Sequence, residues 1–280
     1  MTPGNRLIQF LNTARTRTLL EKLIFVQYRR KGRKIERVKY HTDFDAWEFR
    51  IDGTSYLSSG PGWSYDGGYL ITLFKGLSGN KYLPVSGDNV IDIGAGVGEE
   101  TIVLSSLVGP KGRVYAIEAH PRTFKALQYL VDVNKLQNVE ASNVAISEHA
   151  GPVMIEDTDN SLANSIIQNT GTKQFKIPGE TLDQFVHRNG ITRIDLLKMN
   201  VEGAEQLIVK GMNDCWRVLR HVAISCHDFR FRQDESEFFK TKDLIIETLK
   251  AHAFIVETQQ SNDSMVDDYV YGFNPNLVDR

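Results

Sequence analysis

Two cysteines, eight prolines and no long apolar run in 280 residues exclude several protein classes at once. Cys215 and Cys226 cannot build a disulfide framework or a four-thiolate zinc site, which points to a reducing compartment. No stretch reaches the roughly 20 apolar residues that cross a bilayer. The N-terminus lacks a charged start followed by an apolar stretch and a small-residue cleavage site. A cytoplasmic location is expected. The sequence has no H-E-x-x-H, paired C-x-x-C, EF-hand loop or G-x-S-x-G, so the common metallohydrolase, calcium-sensor and serine-hydrolase signatures are missing, and no repeat of 20 to 50 residues is visible. What is present, 41% hydrophobic and 24% charged residues, suits one large or two small globular domains.

The formal net charge of −2 conceals an asymmetry. Residues 1–40 carry 11 Lys or Arg against only Glu21 and Glu36, so this segment is at +9 and the remaining 240 residues are at −11. Leu19, Leu20, Leu23, Ile24, Phe25 and Val26 followed by Arg29, Arg30, Lys31, Arg33 and Lys34 form a short amphipathic helix with a cationic exit. Such a helix is either a cap with a solvated face or a contact for anionic lipid headgroups or an acidic partner. A nucleic-acid partner is not expected, because no basic stripe interleaved with aromatics continues beyond it.

From Lys39 to Gly62 aromatics alternate with polar residues around the turn signal Asp52-Gly53-Thr54, which predicts a small β-hairpin region. An apolar helix follows near Leu70 to Leu77. Residues 1–62 are thus read as a basic helix with a small β region, and 63–280 as the main domain. Trp63, Tyr65 and Tyr69, among Gly60, Gly62, Gly67 and Gly68, have the composition of a hinged lid or of core.

From Asn89 onward, short apolar runs alternate with helical periodicity, which predicts an α/β fold with a doubly wound, mostly parallel seven-stranded sheet. The expected strands are Val90–Ile93, Arg113–Glu118, Val139–Ala145, Ile194–Met199, His221–Cys226 and Phe254–Glu257, with Tyr269–Phe273 closing the edge. Gly151 to Ile155 adds a short hairpin. Ligands in such folds sit beyond the carboxyl ends of the strands, where strand order reverses.

Asp92-Ile93-Gly94-Ala95-Gly96-Val97-Gly98-Glu99 is a buried strand that ends in an acid and turns through glycines into a helix. In a dinucleotide fingerprint position 99 is small, because it packs beside a pyrophosphate. Glu99 is bulky and anionic. The acid-first pattern suits a ligand with an amino acid tail, such as S-adenosylmethionine, whose ammonium Asp92 can meet. Glu118, 26 residues on, stands at the end of the next strand, where a carboxylate accepts from both ribose hydroxyls.

These two blocks, with Thr181-Leu182-Asp183 and Ile194-Asp195-Leu196-Leu197-Lys198-Met199-Asn200-Val201-Glu202-Gly203-Ala204-Glu205, resemble the FkbM family of S-adenosylmethionine-dependent methyltransferases, with its Rossmann-like sheet, over residues 66–215. The family has Asp where this chain has Asn200. The resemblance implies a donor site of Asp92, Gly94, Ala95, Gly96, Glu118, Ala119, Asn143, Val144, Ala145 and Asn200, with Asn143 at the adenine edge.

Asn200 keeps the size of aspartate but loses its charge, so it cannot serve as a base. His227, after the fifth strand, is then the candidate base with Asp228, and Glu202 and Asn200 complete the catalytic set. Glu205 is explained equally well by the preference for acids in a first helical turn. A divalent metal held by Glu202, His227, Asp228 and Asn200 is possible in chemistry but not diagnostic in spacing. The acceptor implied by the resemblance is a hydroxyl on a glycan, lipid-linked saccharide or secondary metabolite, contacted from the termini and from the loop Asp157 to Gln174. The alternatives are an impaired cofactor-binding scaffold and a nucleotide-dependent oxidoreductase.

Overall fold

A computed structural model of the chain describes residues 12–13, 15–58, 60–61, 67–156, 174–233, 236–261 and 263–277. Trp63, Tyr65, Gly62 and nearly all of the loop 157–174 fall outside them. Its centre is a seven-stranded sheet built from β4 (Asn89–Ile93), β5 (Arg113–Ile117), β6 (Val139–Ser142), β10 (Ile194–Asn200), β11 (Leu219–Ser225), β12 (Ile255–Thr258) and β13 (Tyr269–Phe273), ordered β12-β13-β11-β10-β4-β5-β6. All neighbours are parallel except β13, which runs antiparallel to both β11 and β12. The expected edge strand 269–273 is therefore internal. Its Tyr-Val-Tyr run is buried on both faces, which an edge would not require.

Strand order reverses between β4 and β10, and the chain enters helices at both strand tips: α3 (Glu99–Val108) after β4 and α6 (Glu205–Lys210) after β10. The apolar faces of these helices turn inward, with Leu104 and Val108 of α3, Leu127 and Val131 of α4 (Pro121–Asn134) and Ile208 of α6 all buried. Pro121 starts α4 because its missing N–H is not needed there, and His120 caps the turn.

The run 139–145 is not one strand. It breaks after Ser142, and Ala145–Ile146 becomes β7 of a separate three-stranded sheet with β8 (Gly151–Glu156) and β9 (Gln174–Glu180), in the order β7-β9-β8. Thr181 then caps α5 (Leu182–Arg188) through a reciprocal pair with Gln184, while Asp183 accepts from the amides of Asn213, Asp214 and Cys215. The distinctive Thr181-Leu182-Asp183 block is thus architectural. Cys215 and Cys226 are free and buried.

Upstream, α1 (Arg17–Arg30) lies on an antiparallel meander of β1 (Ile35–His41), β2 (Ala46–Ile51) and β3 (Thr54–Ser58). The Asp52-Gly53 turn has positive φ at both residues, the geometry of a two-residue hairpin. The first strand, hidden in sequence by Glu36, Arg37 and Lys39, extends the expected hairpin to three strands. Phe44, Ala46 and Leu57 pack with Val97, Ala126 and Leu130 against α4 and the glycine turn. The Asn134 side chain supplies both a donor and an acceptor to the Ser55 backbone, completing the open edge of β3.

Glu48 is fully buried at this junction and accepts from Arg37, His41, Ser55 and Tyr129. Burial alone would raise its carboxyl; the four donors outweigh that and lower it to about 2. A depressed carboxylate stabilises the fold above its unfolded value and loses that contribution as pH falls through the folded one. Glu48→Gln is expected to cost about 2 kcal/mol at neutral pH. Urea unfolding should show the deficit shrinking as pH falls from 4.5 towards 2; a deficit constant over that range contradicts the assignment.

Candidate functional site

The principal cleft opens at the carboxyl ends of β4, β5 and β10, at the reversal point of strand order. Gly94, Ala95 and Gly96 form its floor, Glu118 and Ala119 one rim, Asn200 and Glu202 the other, and Val144, Ala145, Ile146 and Ile155 an apolar wall. The glycines do different work. Gly94 has φ +75, and a Cβ there would lie 2.0 Å from the Asn200 carbonyl oxygen, so it allows the tips of β4 and β10 to meet. A Cβ on Gly96 would meet nothing within 4 Å; its bare backbone faces the open cleft.

Beneath the floor is a buried ammonium. Lys198 of β10 stands in register with Asp92 of β4, and its Nζ lies 2.9 Å from Asp92 Oδ1, 2.9 Å from Glu100 Oε2 and 3.2 Å from the Gly94 carbonyl. Burial would push this lysine down, but the charges of Asp92 and Glu100 outweigh it and hold its pKa above the ordinary range. Thr101 donates to the other Asp92 oxygen at 2.8 Å. The expectation that Asp92 meets the ligand ammonium is therefore corrected: the carboxylate is fully buried, spent on Lys198 and Thr101, and absent from the cleft lining. Glu99 and Glu100 do line it. Burial, then the charge of Glu100, pushes the Glu99 carboxyl up to about 7. A lysine flanked by the apolar residues Leu196, Leu197 and Met199 was the sequence signal for this network, since a buried charge needs a partner.

Glu118 accepts from the amides of Gly96 and His120, both at 2.9 Å, which ties the second strand tip to the glycine turn. Burial raises its carboxyl more than those two amides lower it. The Asn143 amide donates to the Glu118 and Ala119 carbonyls and does not line the cleft, so its expected role at an adenine edge is replaced by that of a loop clamp. Val144 and Ala145 do line it, as expected, with Ile146, Ile155, Thr123 and Ile208 added by the structure.

On the opposite rim Glu202 adopts φ +50. Its carboxylate accepts from Arg230 Nη1 at 2.6 Å and lies 3.3 Å from His227 Nε2. The other ring nitrogen of His227, Nδ1, is 2.6 Å from Glu205 Oε1. Burial works against charge on this imidazole, but the hydrogen bonds it donates to Glu202 and Glu205, with their negative charges, raise it to about 10. Burial also works to raise Glu202, yet His227 and Arg230 hold it below the usual carboxylate range. Both ring nitrogens of His227 are engaged and the ring does not line the cleft, so it stands as a group that positions Glu202 and not where the expected base would face an acceptor. Asp228 accepts from the amides of Thr241 and Lys242 and caps α8 (Lys242–Ala251), away from the reacting end. Tyr69 is 43% exposed on α2 (Gly67–Gly76) and does not reach the cleft. Among the described residues, no group of three or more His, Cys, Asp or Glu converges as a metal set.

The donor set fits S-adenosylmethionine: an open glycine backbone and Glu99 for the amino acid end, a carboxylate at the second strand tip for a ribose, and an apolar wall for a base.

Two outcomes follow from these charges. Lys198→Met should cost about 3–5 kcal/mol by leaving Asp92 buried and unpaired, and adding Asp92→Asn should recover much of it in chemical denaturation. Neutral behaviour of the single variant would remove the network from the account. For His227, the raised folded value means its stabilisation is complete below pH 6.5 and is lost as pH rises through about 10. Imidazole proton resonances in the wild type should therefore still report the charged ring at pH 8, and titration near 6.5 would refute this.

A cobalt-precorrin relative from Sulfolobus acidocaldarius, described as "Probable cobalt-precorrin-6B C(15)-methyltransferase (decarboxylating)", is 27% identical over 111 residues, 40% of this chain and 54% of that one. "Methyltransferase 1" of Beauveria bassiana is 22% identical over 162 residues, 50% of this chain and 64% of that one. The chain thus spans between half and two thirds of these curated relatives. Among solved structures, Aeropyrum pernix fibrillarin with bound S-adenosyl-L-methionine matches with TM-score 0.42 and 17% identity over 85% of this chain and 98% of that one. A SAM-dependent methyltransferase from Aquifex aeolicus matches with TM-score 0.42 and 18% identity over 75% and 97%. The Methyltransferase FkbM domain model matches residues 92–259, more than half of the chain and the whole span from Asp92 to β12. The chain belongs to the FkbM family of methyltransferases.

Proposed function

We propose that this chain methylates a hydroxyl oxygen on a neutral, hydroxyl-rich acceptor: a glycan, a lipid-linked saccharide or a secondary metabolite. The observation that carries this reading is the Glu202 carboxylate, placed on the cleft rim beside Asn200 and held there by Arg230 and His227. When bound, S-adenosylmethionine supplies a methyl carbon activated by a sulfonium. Glu99 replaces Asp92 as the carboxylate for its ammonium, and Glu118 is the acceptor for its ribose hydroxyls.

An acceptor hydroxyl must shed its proton as its oxygen takes the methyl carbon. Glu202 accepts that proton as the oxygen–carbon bond forms and passes it to water afterwards, and the uncharged Asn200 side chain orients the acceptor through one donor group and one acceptor atom. His227 and Arg230 fix the Glu202 carboxylate in place, so most of the rate comes from holding the two reacting atoms in line. Glu99, Glu100, Glu118 and Glu202 line the cleft against Lys198, whose charge is already consumed. That balance favours neutral acceptors over phosphorylated ones and over RNA.

Glu118→Ala should weaken S-adenosylmethionine binding about 100-fold in titration calorimetry, by removing charged hydrogen bonds to two hydroxyls. Glu202→Gln should lower kcat about 100-fold on a hydroxylated acceptor, with donor affinity unchanged. Full activity in Glu202→Gln refutes the proton-accepting role, and a product methylated on carbon or nitrogen refutes the acceptor class.

A further inference from the structure

The outer face of α1 is apolar and cationic at once. Its inner face buries Leu20, Ile24 and Tyr28 against Ile35, Val38, Trp47, Phe49 and Ile51. At about 100° per residue, Leu19, Leu23 and Val26 project on the opposite side. They are 52%, 47% and 45% exposed, three of the eight large apolar side chains that stand exposed among the described residues. Lys22, Arg29 and Arg30 flank this stripe and are exposed, and Lys31, Arg33 and Lys34 extend the positive charge past the helix end. The one acid of the helix, Glu21, turns away from this face and accepts from the Tyr40 amide at 2.8 Å.

A solvated cap has no use for three exposed aliphatic side chains in line, and a polyphosphate partner would use only the cations. A helix lying flat in a headgroup layer uses both: the aliphatic stripe enters the acyl boundary while lysines and arginines reach anionic phosphates. We propose that the outer face of α1 docks the protein on an anionic lipid bilayer. Charge complementarity identifies the occupant: five cations beside an aliphatic stripe, with Lys34 paired to the exposed Asp52 and no outward acid on the helix itself, against a negative surface. This surface is separate from the donor cleft and does not depend on the acceptor assigned above. No helix among the described residues is long and apolar enough to cross a membrane, so the contact is peripheral.

The test is vesicle co-sedimentation of the full chain, with phosphatidylcholine alone and with phosphatidylserine added. Binding is expected to the mixed vesicles only, and to fall with rising salt. Each cation at an anionic surface contributes about fivefold to binding, so Lys22→Gln, Arg29→Gln and Arg30→Gln together should weaken it about 100-fold. Leu19→Ser, Leu23→Ser and Val26→Ser should weaken binding at unchanged charge. S-adenosylmethionine affinity, measured in parallel, should be unaltered in both variants, which separates loss of docking from loss of fold. Equal sedimentation with both vesicle types, or serine variants that bind as tightly as wild type, overturns the proposal. Retention of a structured RNA or an acidic protein by the wild type, lost in the glutamine variant and without vesicle binding, assigns the face to that partner instead.

Discussion

A buried ammonium in the centre of a sheet must be neutralised by groups that the fold brings to it, and Lys198 imposes that demand where β4 and β10 part. Its partners come from three places: Asp92 across the strand pair, Glu100 in the first turn of α3, and the Gly94 carbonyl between them. Each contact fixes one side of the donor cleft. Asp92 locks the strand register, Glu100 seats the helix, and Gly94 brings the turn against β10. The cleft is thus the open space above a closed electrostatic knot. Charge satisfied below is unavailable above, which leaves Glu99, Glu118 and Glu202 as cleft-lining carboxylates not paired with Lys198.

The same division between spent and available charge organises the opposite rim. Glu205 and Glu202 each engage one nitrogen of the His227 ring, with Glu202 at the front. Arg230 adds a second anchor from α7 (Asp228–Phe231). Such a carboxylate is rigid and weakly basic. It suits orienting an acceptor hydroxyl during an in-line displacement better than storing a proton between turnovers. The imbalance along the chain has a parallel form: cations gather on α1, acids line the cleft, and the near-neutral total is a separation of two oppositely charged surfaces.

Much of the architecture was legible because its causes are local. Parallel strands covered on both faces read as continuous apolar runs, and a turn that needs positive φ beside a neighbouring strand reads as Gly94-Ala95-Gly96. β1 was hidden because its outward side chains are charged and an irregularity between Ile35 and Arg37 sets its buried Ile35 and Val38 three residues apart, which breaks the period-two pattern of a strand. The place of β13 was hidden for another reason: a strand's neighbours are set by how the chain returns, and residues 269–273 carry no mark of antiparallel insertion.

The linear order of residues was enough to establish the strand-turn-helix units, the glycine bend, the acid at each strand tip and the family to which they belong. It could not establish which acid faces a ligand. Asp92 and Glu99 differ by seven positions, and Asp228 and Glu202 look equally catalytic on paper. The choice among them rests on distances across strands and on competing donors: Lys198 claims Asp92, the amides of Thr241 and Lys242 claim Asp228, and Glu99 and Glu202 are left at the cleft. A carboxylate's role is set by the nearest cation or N–H in space, and only the packed chain brings those within reach.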